Sequence, residues 1–543
     1  MTTVRSDEPT YWDDFYGNHR LAQLHQVQQR LLVGDWARGP SGTGDFNFFN
    51  SDALFSTKKG QLAESWEIFP DGRGVYKIRQ GIRYWLYPGS EASRLVGGRE
   101  LTADDIAFSL NRLAKTKGSY INTASPQMSA VTNITAPDKY TLEIKTVPEW
   151  AYEAHYFLAF YAYGDTAKEV ISRYGNYENW RNIVGAGPLI LTEYVPGSSL
   201  TYVRNANYYL KDPAGPGKGN PLPYLNGMKT LIIPDASTRL AALRTAKIDF
   251  GSLGLDDARS LMKTQPQLKY LQGDENSAQN VAMRLDKPEL PYKDIRVRHA
   301  LMLATDFDAI SQAIMGGLGR LPSWPMVYQA EISDWWLPLK EAPQEVQELY
   351  KYNPEKARQL LKEAGYPNGF KAEIVVNSSG TAIDEVSILK DMWAKVGITL
   401  TLDPKEPAVY SRIQTARNNA DMIYSSTASM LQWTRGFGNI SSNTFANSSM
   451  IDIIGPSYIQ ESRQASQEAW LKGDYARQAR TSKDLLRRVL YEAWAIPLPQ
   501  KPTFVFWWPW VNNFYGALNV GAFTGPGYQY VWIDQELKKS MGH

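Results

Sequence analysis

The stretch GQLAESWEIFPDGRGVYKIRQGIRYW (Gly60–Trp85), followed by LTADDIAFSLNRL (Leu101–Leu113), is the most patterned part of this 543-residue chain. Trp66 and Ile68 alternate with polar neighbours, Pro70-Asp71-Gly72 supplies turn chemistry, and Tyr76 and Ile78 alternate again before Gly81. That pattern predicts a half-buried hairpin. A helix start comes next. Thr102 is placed to accept from the backbone N–H three residues on, and Asp104 and Asp105 fall in the first turn, where the helix dipole favours anions. Ile106, Leu110 and Leu113 then set an apolar stripe on one face.

Working outward, a chain of this length exceeds what one hydrophobic core usually supports, so two or three domains are expected. Hydrophobic content of 43% and charge of 21% are those of a globular protein with a sizeable core. Lys plus Arg (58) nearly balances Asp plus Glu (56), leaving +2. Without basic runs, that offers no electrostatic footprint for nucleic acid or an anionic membrane. The absence of cysteine removes disulfides, thiolate metal sites and cysteine nucleophiles together. The five histidines, at 19, 25, 155, 299 and 543, make no His-x-x-x-His pair, so no metal or other cofactor is expected. No run approaches the eighteen or so apolar residues of a membrane span.

Segments beyond the hairpin carry similar local signals. Leu21, Leu24, Val27 and Leu31 suggest a helix. Tyr140–Ile144 reads as a strand. NPEKARQLLKEAGYPNGF (Asn353–Phe370) places a cap at Asn353, Pro354 at the first helical position, Ala357, Leu360, Leu361 and Ala364 on the buried stripe, and Gly365 at the stop. Strand Lys371–Val376, helix Ile383–Lys395 and strand Ile398–Leu402 then form a βαβ-type unit, the mark of a parallel, helix-covered sheet.

Leu62–Trp66, Asp71-Gly72, Arg79 and Thr102–Asp105 together resemble the signature of the family 5 extracellular solute-binding proteins, the oligopeptide- and dipeptide-binding proteins of bacterial ABC importers. Gly185, Gly187, Pro188 and Arg204-Asn205 match that family's return hairpin, with Ala186 in place of the usual threonine. Asp294, Arg296, Val297, Arg298, Ala300 and Asp306 match a further run, with Phe307 where arginine is usual. The resemblance implies an α/β, two-lobed periplasmic-binding-protein fold (type II, Venus-flytrap). It places lobe I at 1–59, 185–270 and 490–543, with 60–184 as its extra subdomain, and lobe II at 271–489. It further implies a monomer that holds a small-molecule ligand between lobes and presents it to the membrane permease of an ABC importer. Closing on ligand would draw on roughly 5 kcal/mol of differential affinity. The location implied is periplasmic or cell-surface. Residues 1–9 contain no apolar h-region, so the export signal is expected to be missing from this sequence.

For the ligand, the segment Asp421–Asp452 is the most informative. A strand ending at Ser425-Ser426 enters a loop rich in Ser, Thr and Asn that holds Trp433, Arg435 and Phe437. Peptide-binding members carry an acidic group there for the ligand's amino terminus, whereas this loop has no carboxylate before Asp452. A buried ammonium without a paired anion costs several kcal/mol. The loop offers instead a guanidinium and a flat indole, which suit an oligosaccharide, an opine-like conjugate or another polar anion. An oligopeptide ligand remains the alternative, and Trp433 and Arg435 read equally as packed core and a surface ion pair. Asn47 and Phe48, in an aromatic patch with Phe46 and Phe49, are placed at the family's ligand-contacting loop. Trp507 and Trp508, in a cluster with Phe504, Phe506 and Trp510, either line the cleft or pack the core.

Catalytic motifs are weak. Asp104-Asp105 and Asp256-Asp257 read as dipole partners of helix starts, since adjacent residues diverge on a helix. The glycine-rich turns at 185–188 and 215–219 fit neither a dinucleotide nor a Walker pattern, and the Ser56/Lys59 and Ser387/Lys390 pairs lack the other serine–lysine acyl-transfer motifs. A secreted carbohydrate hydrolase, the rival class, needs two carboxylates about 5 to 9.5 Å apart in one cleft, and no pair is nominated. A non-enzymatic protein is expected.

Overall fold

A computed structural model describes residues 1–16, 23–50, 54–124, 126–329, 333–379, 381–427, 448–520 and 527–543. The chain divides into two compact units, one of Met1–Gly273 with Thr503–His543 and one of Asp274–Pro502.

In the first unit the opening hairpin is present as strands Ala63–Ile68 and Arg73–Ile78, with Trp66 opposite Tyr76 and a turn through Gly72 at φ +83°, a value that suits glycine. Strands Thr141–Thr146 and Val131–Asp138 complete a four-stranded antiparallel sheet. Helix Ala103–Lys115 buries Ile106, Leu110 and Leu113. Its start is a capping box, with the Thr102 side chain facing the Asp105 N–H as expected and the Asp105 carboxylate reaching back to accept from the Thr102 N–H (3.0 Å) and hydroxyl (3.1 Å), while Arg99 clamps that carboxylate at 2.7 and 2.8 Å.

The region expected to be a helix around 21–31 is not one over its described part. Gln28 N–H does reach Leu24 O, but the chain then extends into strand Leu32–Gly34. The apolar spacing still has a cause, since Leu24, Val27 and Leu31 are all buried. What fixes this segment is tertiary: Gly187 N–H donates to Val27 O and Leu189 N–H to Gln26 O. Gly185 is required at this seam, since a Cβ there would lie 2.3 Å from Val27 O.

A second sheet runs Thr2–Arg5, Gly227–Ile232, Ser199–Arg204, Leu189–Val195, and a third runs Phe250–Leu253, Pro502–Trp507, Lys269–Asp274. The core beside the third sheet is strongly aromatic, with Phe49, Phe250, Phe504, Phe506, Trp507, Trp508, Trp510 and Phe514 in one cluster.

The second unit is built on a five-stranded sheet in the order Thr399–Lys405, Lys371–Asn377, Met422–Thr427, Ala278–Ala282, Ala495–Pro497. Helix Pro354–Glu363 leads into strand Lys371–Asn377, with the Asn353 side chain accepting from Lys356 N–H at 3.0 Å and Ala357 and Leu361 buried. Arg298 ties this unit's first helix, Ile295–Leu303, to the end of its last through Glu492, both backbone O (2.7 Å) and carboxylate (3.0 Å). Phe307, at the position where arginine is usual, is buried with its ring 5.3 Å from that of Tyr350.

Asp165 carries a pH dependence. Its Oδ2 accepts from Gln29 N–H (3.0 Å) and Ala186 N–H (2.7 Å), while Oδ1 has no hydrogen-bond partner among the described residues. Burial pushes its pKa up from 3.8 to about 8, against the two amides. Between those values the unfolded chain is ionised and the folded chain holds the proton, so stability falls as pH rises, by at most about 1.4 kcal/mol per pH unit. Urea unfolding followed from pH 5 to pH 8 is expected to show a smaller fall in Asp165→Asn than in the natural chain. A residual slope comes from Asp14, pushed up to about 7 by burial and by Asp13. Equal slopes in the two chains would contradict the assignment.

Candidate functional site at the carboxyl edge of the second sheet

Three strands of the second unit's sheet are parallel, and their connections reverse direction. From Lys371–Asn377 the chain passes through helix Ala382–Ala394 to Thr399–Lys405 on one side, then through helix Pro407–Ala416 to Met422–Thr427 on the other. In open α/β sheets, that reversal opens a crevice beyond the carboxyl ends of the two strands flanking it, where ligands bind. Here the flanking strands pair only at Ile374↔Met422 and Val375↔Ile423. Beyond that point Ser425 and Ser426 ladder instead with Asn280 and Gln279 of the antiparallel neighbour.

The groups at this edge are hydroxyls and amides. Asn377 Oδ1 accepts from the Ser379 N–H (3.0 Å) and hydroxyl (2.9 Å). Ser425 is buried, accepts from Gln414 Nε2 at 3.0 Å and lies 3.4 Å from the Ser448 hydroxyl. Ser426 is half-buried.

Beneath them lies a neutralised charge. Glu385, fully buried on the inner face of its helix, takes Lys501 Nζ and the Thr381 hydroxyl on Oε1, each at 2.6 Å, and the Tyr424 hydroxyl on Oε2 at 2.9 Å. Lys501 also donates to Thr381 Oγ1 at 2.5 Å. Burial first, and then the Glu385 charge, push the Tyr424 hydroxyl well up, so it stays a donor. Glu275 is raised by burial, with Lys501 opposing. Lys501, half-buried, is therefore paired with Glu385, and the side chains of Asn377, Ser379, Ser425 and Ser426 at this edge are uncharged.

The residues nominated from sequence fall in three places. Ser425 and Ser426 are at this edge. Trp433, Arg435 and Phe437 lie outside the described residues. The other four belong to the first unit. Trp507 pairs with Phe250 in the ladder and sets its ring edge-on to Phe514 at 5.6 Å. Trp508 donates Nε1–H to Leu243 O (3.0 Å) and stacks on Trp510 at 4.6 Å. Phe48 is 1% exposed and stacks on Trp36 at 5.8 Å, and Asn47 Oδ1 accepts from Phe49 N–H at 2.9 Å. Glu385, Thr381, Lys501 and Tyr424 were not nominated, although a lone carboxylate on the apolar stripe with Val386, Leu389 and Met392 was a readable signal.

A family model for bacterial extracellular solute-binding proteins, family 5, matches residues 58–447. The chain belongs to this family. Heme-binding protein A of Haemophilus influenzae is 29% identical over 380 residues, covering 64% of this chain and 62% of that protein. The dipeptide-binding protein of Escherichia coli is 24% identical over 364 residues, covering 62% and 61%. The match thus spans under two thirds of each of these relatives. The solved structure of HbpA2 from Haemophilus parasuis superposes with a TM-score of 0.72 at 22% identity, covering 98% of this chain and 100% of that one. The family 5 chain studied here accordingly has the mixed α/β fold of type II periplasmic binding proteins.

Replacing Glu385 with Gln leaves the half-buried Lys501 ammonium without its anion. The cost expected for breaking such a pair from one side is at most about 3 kcal/mol. Urea unfolding of Glu385→Gln should show the loss, and Glu385→Gln/Lys501→Met should recover part of it. A single variant as stable as the natural chain would show that the pair carries no weight.

Proposed function

We propose that this chain is the substrate-binding component of a bacterial ABC importer, working outside the cytoplasm as a monomer, and that its solute is a short peptide. The observation that carries the reading is the family match over 58–447, combined with a sheet reversal whose strand ends carry Asn377, Ser379, Ser425 and Ser426. The protein binds and hands on its solute without bond cleavage, with a membrane permease as its partner.

The preference for an oligosaccharide or opine-like ligand rests on a missing carboxylate in a loop that lies outside the described residues. The named relatives instead bind dipeptide and heme. Peptide backbone presents an alternation of N–H and C=O groups, which hydroxyl and amide side chains at a strand edge pair with regardless of sequence. A non-enzymatic role fits the same surface, since Glu385 is committed to Lys501, Thr381 and Tyr424.

Calorimetric titration with dipeptides, tripeptides, maltohexaose and hemin tests this. Peptide binding at about 1 μM or tighter is expected, with the peptide recovered intact. Ser426→Trp should weaken it at least tenfold, about 1.4 kcal/mol, without moving the melting temperature. Saturable binding of maltohexaose or hemin with none of any peptide, or recovery of cleaved peptide, would overturn the reading.

A further inference from the structure

The first unit contains a cavity of about 540 Å³, lined among others by Trp36, Lys59, Glu64, Arg79, Tyr209 and Lys211. That volume lies in the range of small-molecule sites. Its lining carries three cationic side chains and two carboxylates. Arg79, the arginine of the opening hairpin motif, donates Nε–H to Gln61 O at 3.0 Å and Nη2–H to Gly60 O at 3.2 Å. It has no carboxylate partner among the described residues, so a fixed guanidinium keeps its charge uncompensated there.

Lys59 and Lys211 are exposed at the rim and make no ion pair among the described residues. Of the two acids lining the cavity, the Asp35 carboxylate is engaged as a helix cap with the Ala37 N–H at 3.2 Å, and Glu64 is exposed.

Three cationic side chains, Arg79, Lys59 and Lys211, against the two carboxylates of Asp35 and Glu64 leave the lining with an excess of positive charge that an anion satisfies, while the Trp36, Tyr209 and Tyr530 rings supply apolar wall.

We infer that this cavity is a second binding site, taking a ring-bearing organic anion through Arg79, Lys59 and Lys211, with the Trp36, Tyr209 and Tyr530 rings as its apolar wall. It is separate from peptide capture and does not rest on that reading.

The probe is 1-naphthoate, with neutral 1-naphthol as its control, titrated into the full chain by calorimetry. Naphthoate is expected to bind saturably below about 1 mM and naphthol at least tenfold more weakly. Lys59→Glu/Lys211→Glu should lower naphthoate affinity by about fivefold or more, as loss and reversal of two rim charges require. The double variant should keep the natural circular-dichroism spectrum. Ser426→Trp should leave naphthoate binding unchanged. The inference is overturned if naphthoate does not saturate, if naphthol binds equally, if the folded double variant binds as the natural chain does, or if Ser426→Trp abolishes binding.

Discussion

The short parallel ladder between Lys371–Asn377 and Met422–Thr427 is the constraint on which the functional reading depends. Two register pairs, Ile374↔Met422 and Val375↔Ile423, hold the strands together. The two flanking connections leave in opposite directions, so among the described residues no helix covers both carboxyl ends. The strand ends beyond the shared ladder carry Asn377, Ser379, Ser425 and Ser426 rather than apolar side chains. Sheet topology makes the location, and local sequence sets its chemistry.

The buried group Glu385–Lys501–Thr381–Tyr424 decides what kind of chemistry that is. A carboxylate with three donors is neither a free base nor a nucleophile, and an ammonium held at 2.6 Å by it is not a free anchor for an anionic solute. In the proposed reading the edge offers a solute hydrogen bonds from uncharged groups, contacts of about 1 kcal/mol each that can be exchanged for water.

Much of the fold was legible because its signals are local. The 60–85 hairpin, the helix at 103–115 and the 353–402 unit each follow from period, caps and turns within a few residues, and each forms within one to three residues of its expected bounds. The misread helix near 21–31 shows the limit. Leu24, Val27 and Leu31 are buried as a helical stripe would be, yet Gly185–Leu189 captures that backbone from far along the chain. The site was legible in the same proportion. Ser425 and Ser426 were readable as a strand end, whereas Glu385 meets Lys501 only through the sheet and helix between them. The tryptophans at 507 and 508 and Phe48 show that aromatic density alone does not separate core from ligand wall, because Trp508 satisfies its N–H on Leu243 and its face on Trp510.

Hydrogen–deuterium exchange on the full chain, with and without a saturating dipeptide, tests the central claim most directly. Binding at the sheet-reversal edge predicts slowed exchange concentrated in 376–379 and 424–427. Slowed exchange confined to the first unit, with those two segments unchanged, would contradict it.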